Sequence, residues 1–372
     1  MYIENIKIQN FRNYKLLNLK FNKGINIIYG KNGQGKTNLL ESIYVLSLTK
    51  SHKSFIDSNL IKKNEAFAII KGKLKKDNIS KNLEIYISEK EKKLRVDNIE
   101  EKKISNYTSI MNTIIFYPED LEIIKGSPIL RRKYMNVELS QLYSSYLEIL
   151  NDYNKLLKMR NDFFKKLKDN YYNQLYLEQL NDYYIKKSIL IYKMRKKYIE
   201  KINENISDIF YNISGIQNLK IKYKSNINLD TNNSDELYDN MKNKIDSAFN
   251  VEKKLKTTLI GPNRDDLEFY IDEKNLKLYG SQGQQRMAIL ALKLSEIELF
   301  KNVKGEYPIL LLDDVFSELD RKKRNNLLKY IKEDIQTFIT TTDLSLISRK
   351  LINNSITIEI EDGTVKKIGG VN

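Results

Sequence analysis

A chain of 372 residues, 41% of them hydrophobic, has material for two domains or one large one and for a substantial core. Its 64 Lys and Arg against 48 Asp and Glu leave a formal charge of +16, which favours a polyanionic partner, although Lys is inflated throughout a sequence this heavy in Lys, Asn, Ile and Tyr. The lack of cysteine excludes disulfides, thiolate metal sites and cysteine nucleophiles, and the single histidine, His52, leaves zinc sites and Ser/His triads poorly supplied. Chemistry therefore falls to carboxylates, Lys, Arg, hydroxyls and Mg²⁺. No apolar run is long enough to cross a membrane, and Met1–Ile8 lacks the basic-then-apolar pattern of a signal peptide. A cytoplasmic protein is expected.

The chain opens on alternating residues. Ile6 and Ile8 share one face, and Leu17, Leu19 and Phe21 alternate again, with Phe11-Arg12-Asn13-Tyr14 between them. Asn22-Lys23-Gly24 turns the chain into an apolar run, Ile25-Asn26-Ile27-Ile28-Tyr29, that reads as a buried strand. Next comes Gly30-Lys31-Asn32-Gly33-Gln34-Gly35-Lys36-Thr37, with the spacing of a phosphate-binding loop. A helix follows, with Leu39, Leu40, Ile43 and Leu46 on one face. In strand, glycine turn, helix, the backbone N–H groups and the helix N-terminus cradle phosphate oxygens. Lys36 would reach the β- and γ-phosphates, and the Thr37 hydroxyl would hold Mg²⁺.

Residues 64–117 keep a β pattern, with segments at Ala66–Ile70, Leu83–Ile87, Leu94–Val96 and Thr113–Tyr117. From about Pro128 the texture turns helical and stays so to about residue 215. Leu139, Leu142, Tyr146, Ile149, Tyr153, Leu156 and Leu157 recur at helical spacing. Among and beyond them run Lys155, Lys158, Arg160, Lys165, Lys166 and Lys168, then Lys186, Lys187, Lys193, Arg195, Lys196 and Lys197. These are either solvated helix faces or a surface that tracks phosphates. No heptad persists for four repeats, so no long coiled coil is expected. Residues 225–236 read as a polar loop.

The last third returns to α/β texture. Ser281-Gln282-Gly283-Gln284-Gln285-Arg286 heads a helical run, where a serine, a glycine and helix N-terminal amides can grip a γ-phosphate. Pro308–Leu312 is an apolar strand ending in Asp313 and Asp314, followed by Ser317-Glu318-Leu319-Asp320, which alone could be a helix cap. Asp313 stands where a Mg²⁺-orienting carboxylate belongs, and Asp314 can polarise an attacking water. Gln336–Asp343 is a further strand, ending in hydroxyls. Such continuous apolar strands suit a parallel sheet buried on both faces. The expected architecture is one α/β head, residues 1–125 and 256–372, split by a mainly helical lobe at 126–255.

Taken in order, Ser281–Arg286, Asp313-Asp314 and Ser317–Asp320 resemble the signature, Walker B and D-loop of ABC-type P-loop ATPases. Phe11–Tyr14 is similar to the opening of the SMC and Rad50-like branch. Within it, the whole chain resembles the RecF family of bacterial DNA replication and repair proteins. Further matching stretches are Ser51–Ser54, Phe116–Leu121, Lys125–Pro128 with Arg131-Arg132, Arg160-Asn161 and Gly261–Leu267. Roughly 240 residues separate Lys36 from Ser281, too few for the long coiled coil of SMC proteins, since two helices of about 40 residues reach only about 60 Å. Two positions depart from the family pattern: Asn263, where it has His, and Asn136, where it has Asp.

The resemblance implies that ATP and Mg²⁺ are bound by Gly30 through Thr37, with Asn38 and Arg12. Thr37 and Asp313 would hold the metal, and Lys36 and Asp314 would be the catalytic residues. Ser281, Gly283 and Gln284 would serve the nucleotide of a second copy in a head-to-head dimer. It implies a weak DNA-dependent ATPase that binds single- and double-stranded DNA at gaps, works with RecR and RecO in loading recombinase, and supports the SOS response. Asp314 in place of the usual Glu suggests slow turnover, and the alternative is an ATP-switched DNA clamp with negligible turnover. A small-molecule kinase is opposed by the signature motif, and a transporter subunit by the basic insertion. What senses the γ-phosphate at Thr340-Thr341-Thr342-Asp343 is left open.

Overall fold

The computed structural model describes residues 1–54, 56–167 and 173–370; Lys168 of the first basic run lies outside the described residues. The chain forms two compact units, one of residues 1–120, 209–215 and 290–372, the other of 121–208 and 216–289. The second unit thus runs past residue 255 and includes the Ser281–Arg286 stretch.

In the first unit, β1 (Tyr2–Phe11), β2 (Tyr14–Lys20) and β3 (Ile25–Tyr29) lead to helix α1 (Lys36–Leu48). β4 (Phe67–Lys76), β5 (Ile79–Ser88), β6 (Lys92–Val96), β7 (Ile99–Glu100), α2 (Ile104–Thr108) and β8 (Thr113–Phe116) follow. Elements of the second unit, or beginning there, are α3 (Glu122–Lys125), α4 (Pro128–Leu142), α5 (Ser144–Lys166), α6 (Gln174–Asn203) and α7 (Ile206–Ser214). After them come β9 (Leu219–Lys224), α8 (Ser234–Leu255), β10 (Asp266–Ile271), β11 (Lys274–Asn275), α9 (Leu276–Tyr279) and α10 (Gln282–Lys304). The first unit closes with β12 (Ile309–Leu312), α11 (Arg321–Tyr330), β13 (Thr337–Thr341), α12 (Arg349–Asn353), β14 (Ser355–Glu361) and β15 (Thr364–Gly370).

Two sheets organise the first unit. One is antiparallel, in the order β2-β1-β4-β5-β6-β7. Its alternation is that of a sheet with one buried face: Ile6, Ile8, Leu17, Leu19, Ile70, Leu83 and Ile85 are buried, and the intervening Lys7, Asn18, Lys20 and Lys71 are exposed. The other runs β15-β14-β3-β13-β12-β8, parallel except for the β14–β15 hairpin. β8, β12 and β13 are buried along their whole lengths, the signature of a sheet covered on both faces. α1 packs on strands of both sheets and is buried almost all round, not on one stripe as its periodicity alone suggests. Gly72 on β4 makes room for it: a Cβ there would come within 2.4 Å of Leu46.

Where β8 leaves its sheet, Asp120 is buried and its carboxylate accepts the Tyr117 N–H at 3.0 Å. Burial pushes its pKa up to about 7, with Lys293 opposing and Glu296 and Glu119 adding to the rise. A carboxyl whose folded pKa exceeds its unfolded value takes up protons on folding, so it weakens the fold as pH rises from about 4 through about 7. Asp120→Asn removes that slope. The expected result is a gain in urea midpoint over wild type at pH 8 that shrinks at pH 5; a gain independent of pH would refute the assignment.

The second unit packs α5 on α6, α6 on α8, and carries the antiparallel sheet β11-β10-β9. The sequence reading assigned no strand at 219–224, although Leu219 and Ile221 alternate inward there. The polar stretch is also shorter than expected, because Asn233 caps α8 through the Asp235 N–H and Ser234–Glu236 already form its first turn. No described helix is long and apolar enough to cross a membrane.

The candidate nucleotide site

The loop Gly30–Thr37 joins β3 to α1, and β3 lies between β13 and β14. Its glycines are required by backbone. Gly30 has φ +149° and a Cβ there would sit 2.3 Å from the Ile360 carbonyl oxygen; Gly35 has φ +112° and a Cβ would meet the Asn13 amide at 2.5 Å. Lys36 is buried, and its Nζ donates to the Gly30 and Lys31 carbonyls at 2.7 and 2.9 Å. Desolvation lowers its pKa, against the pull of Asp314 and Asp313.

Two turns brace the loop. Asn13, between β1 and β2, donates to the Gln34 carbonyl at 3.1 Å and accepts from Asn38 at 2.8 Å, and the Tyr14 hydroxyl donates to the Gly35 carbonyl. From the β14–β15 turn, the Gly363 N–H donates to the Gln34 carbonyl at 3.0 Å, and the Asp362 N–H to Gln34 Oε1 at 2.6 Å. Lys62 clamps the Asn13 carbonyl at 2.6 Å. Arg12, expected beside the nucleotide, makes two guanidinium bonds to Glu41 of α1, at 2.8 and 2.6 Å, and one to the Asn59 carbonyl. Burial pushes the Glu41 carboxyl up, but Arg12 and Ser51 hold it below its ordinary pKa. Asn13, its neighbour in the same motif, is the residue that reaches the loop.

At the end of β12, Asp313 Oδ1 accepts the Thr37 hydroxyl and the Thr340 hydroxyl, each at 2.8 Å, and Asp313 Oδ2 faces Lys53 Nζ at 3.8 Å. Burial raises the pKa of Asp313, while Thr340, Thr37 and Lys53 oppose the rise. Asp314 follows in the left-handed region, at φ 53° and ψ 24°. Its N–H donates to Thr340 Oγ1 at 2.9 Å, its carbonyl accepts from Ser317, and its buried Oδ1 has no hydrogen-bond partner among the described residues. A hydroxyl and a carboxylate in hydrogen-bond contact beneath a phosphate loop are hard oxygen donors of the kind Mg²⁺ shares with a nucleotide's phosphates. The residues therefore fit that ion. Sequence reasoning missed Asn13, Lys53 and Thr340; the hydroxyl-rich end of β13 is the one signal it had for Thr340.

In the second unit, Ser281 and Gln284 cap α10 reciprocally. The Gln284 N–H donates to Ser281 Oγ at 3.2 Å, and the Ser281 N–H to Gln284 Oε1 at 2.9 Å. Ser281 and Gly283 are exposed, as are the preceding Leu278 and Tyr279. In the first unit, Asp320 caps α11 through the Lys323 N–H. The basic runs of the second unit divide. Arg160 is fully buried against Glu252 and Arg195 against Asp265, so neither belongs to a solvated phosphate-tracking face. Lys155, Lys158, Lys165, Lys166, Lys186 and Lys197 are exposed. The two departures from the family pattern lie in the same buried network: Asn136 accepts from Tyr146 and Arg195, and Asn263 from Tyr153 and Tyr184.

A family model, the RecF/RecN/SMC N-terminal domain, matches residues 2–366. The chain is 42% identical over 371 residues to the DNA replication and repair protein RecF of Bacillus cereus (strain G9842), covering 98% of both chains, and equally so to that of Bacillus anthracis (strain CDC 684 / NRRL 3495). A solved structure of the recombination mediator protein RecF with ATP, in the RecFOR pathway, is 34% identical, with TM-score 0.91 over 99% of this chain and 98% of that one. An Smc head bound to the C-winged helix domain of ScpA, 17% identical, shares the fold at TM-score 0.54 over 99% of this chain and 98% of that one.

Proposed function

The chain belongs to the RecF family of DNA replication and repair proteins, within the RecF/RecN/SMC N-terminal domain family, and from that premise we propose an ATP-dependent DNA-binding protein acting as a recombination mediator. Its fold is that of an ABC-type ATPase head. Residues 1–125 and 256–372 make the working head, and 126–255 the inserted lobe. The observation that carries this function is the 2.8 Å bond joining Thr37 to Asp313 across 276 positions, at the foot of the glycine loop.

ATP lies along the loop from Gly30 to Thr37, with Lys36 turning from the Gly30 and Lys31 carbonyls to the β- and γ-phosphates and Asn32 and Asn38 beside them. Thr37 and Asp313 hold Mg²⁺, which supplies charge neutralisation on the phosphates. Asp314 orients the attacking water. Ser281, Gly283 and Gln284 stand at an exposed helix N-terminus, suited to the nucleotide of a second copy. ATP bound between two copies favours the dimer, and weak DNA-dependent hydrolysis releases it. The dimer binds single- and double-stranded DNA at gaps, with RecR and RecO as partners in loading recombinase and support of the SOS response. Lysines exposed on α5 and α6 are the candidate DNA contacts.

Sedimentation tests the function. Wild type is expected to dimerise with ATP and Mg²⁺, more strongly with DNA, while Ser281→Arg binds ATP and stays monomeric. Wild type that remains monomeric with ATP would sink the shared-site model.

A further inference from the structure

We propose that Thr340 is the positioning residue for both carboxylates of the nucleotide site, one hydroxyl fixing Asp313 and Asp314 relative to each other. The inference rests on the ATP-binding function above and goes beyond it, since the sequence motifs assign Thr340 no role. The register of the sheet makes the contact. β12 and β13 are parallel neighbours with Leu312 opposite Ile339, so the next residues outward are Asp313 and Thr340. Thr340 is 1% exposed, and its hydroxyl uses both of its capacities here. It donates to Asp313 Oδ1 at 2.8 Å and accepts the Asp314 N–H at 2.9 Å. One oxygen therefore touches the side chain of the first carboxylate and the main chain of the second.

The second contact matters because Asp314 adopts a left-handed conformation that a residue with a Cβ seldom takes. Its N–H is held by Thr340 and its carbonyl by Ser317 at 2.7 Å, so the peptide cannot relax toward ordinary backbone without breaking one of the two. The carboxylate it carries has a buried oxygen with no hydrogen-bond partner among the described residues. On the other side, Asp313 Oδ1 is shared by Thr340 and Thr37. A shift of Asp313 would reach Asp314 through Thr340. Ser and Thr are the short side chains whose hydroxyl can donate and accept through one atom, and Thr also suits a strand.

Two variants separate the hydroxyl from the shape. Thr340→Val keeps the β-branched volume and loses the hydroxyl; Thr340→Ser keeps the hydroxyl and loses a methyl. Binding of a fluorescent ATP analogue, titrated with Mg²⁺, is read beside ATP turnover and the melting temperature. Thr340→Val is expected to need at least five-fold more Mg²⁺ for half-maximal binding and to lose ten-fold or more in turnover, whereas Thr340→Ser stays within about two-fold of wild type. Equal defects in both variants would mean packing and overturn the proposal, as would a Val variant indistinguishable from wild type. Should Thr340→Val not fold, Thr340→Ala against Thr340→Ser makes the same comparison. Wild type that binds the analogue without regard to Mg²⁺ would instead overturn the assigned ATP site.

Discussion

Alanine in place of Arg160 is expected to lower the stability of the second unit by ~3–5 kcal/mol, measured as the urea midpoint. Arg160 and Glu252 both have fully buried side chains and meet at 2.7 Å. The other guanidinium nitrogens donate to Asn181 at 2.8 Å and Thr258 at 3.1 Å, and the plane lies over Phe164 and Tyr184. Glu252 in turn accepts the Leu259 N–H at 2.6 Å. Removing the cation leaves a carboxylate in the interior with its main counter-charge gone, and that uncompensated charge sets the size of the loss. Arg160→Ala with Glu252→Gln should recover part of it. DNA binding by the folded fraction should keep the wild-type salt dependence, because Arg160 touches no solvent. If the exposed Lys158 is one of the proposed DNA contacts, Lys158→Gln should instead lower the slope by about 0.9 for the phosphate it releases. A flattened salt slope in Arg160→Ala would return that residue to the DNA-binding face.

Lys36→Ala is expected to cut ATP turnover per encounter by 10²–10³-fold, about 2.7–4 kcal/mol of lost charge stabilisation, with little change in melting temperature. The lysine already points at the loop's carbonyls, and desolvation lowers its pKa against the pull of Asp314 and Asp313. Gly30→Ala should abolish binding by another route, since its Cβ would meet the Ile360 carbonyl at 2.3 Å and the backbone must move. The two are told apart by competition with free pyrophosphate. Lys36→Ala keeps the amide cradle and retains weak protection by pyrophosphate; Gly30→Ala loses it. Full ATP turnover in Lys36→Ala would place the nucleotide elsewhere.

The glycine loop, the buried parallel strands and the two carboxylates were legible because each is local: spacing, apolar runs and turn chemistry lie within a few residues. The fates of Arg160 and Arg195 were not, since their partners lie 92 and 70 positions away and a charge run looks the same solvated or paired. Several motifs that mark the family serve the frame of the second unit. Arg131 grips Asp266, Arg132 the Asp265 carbonyl, and Asn161 the Thr258 N–H. The position of Thr340 beside Asp313 was equally hidden, because it depends on strand register, which no stretch of sequence states.

The placement of β3 between β13 and β14, with Gly363 and Asp362 bonded to Gln34, has a bearing on synthesis. The nucleotide loop is made early, but the strands that flank it and the turn that braces it are made more than 300 residues later. At ordinary translation speeds the loop waits tens of seconds without its neighbours. A ribosome-bound fragment that stops short of residue 337 would have the phosphate-binding sequence without the two strands that flank β3 or the turn that braces the loop, and is expected to bind ATP more weakly than the whole chain.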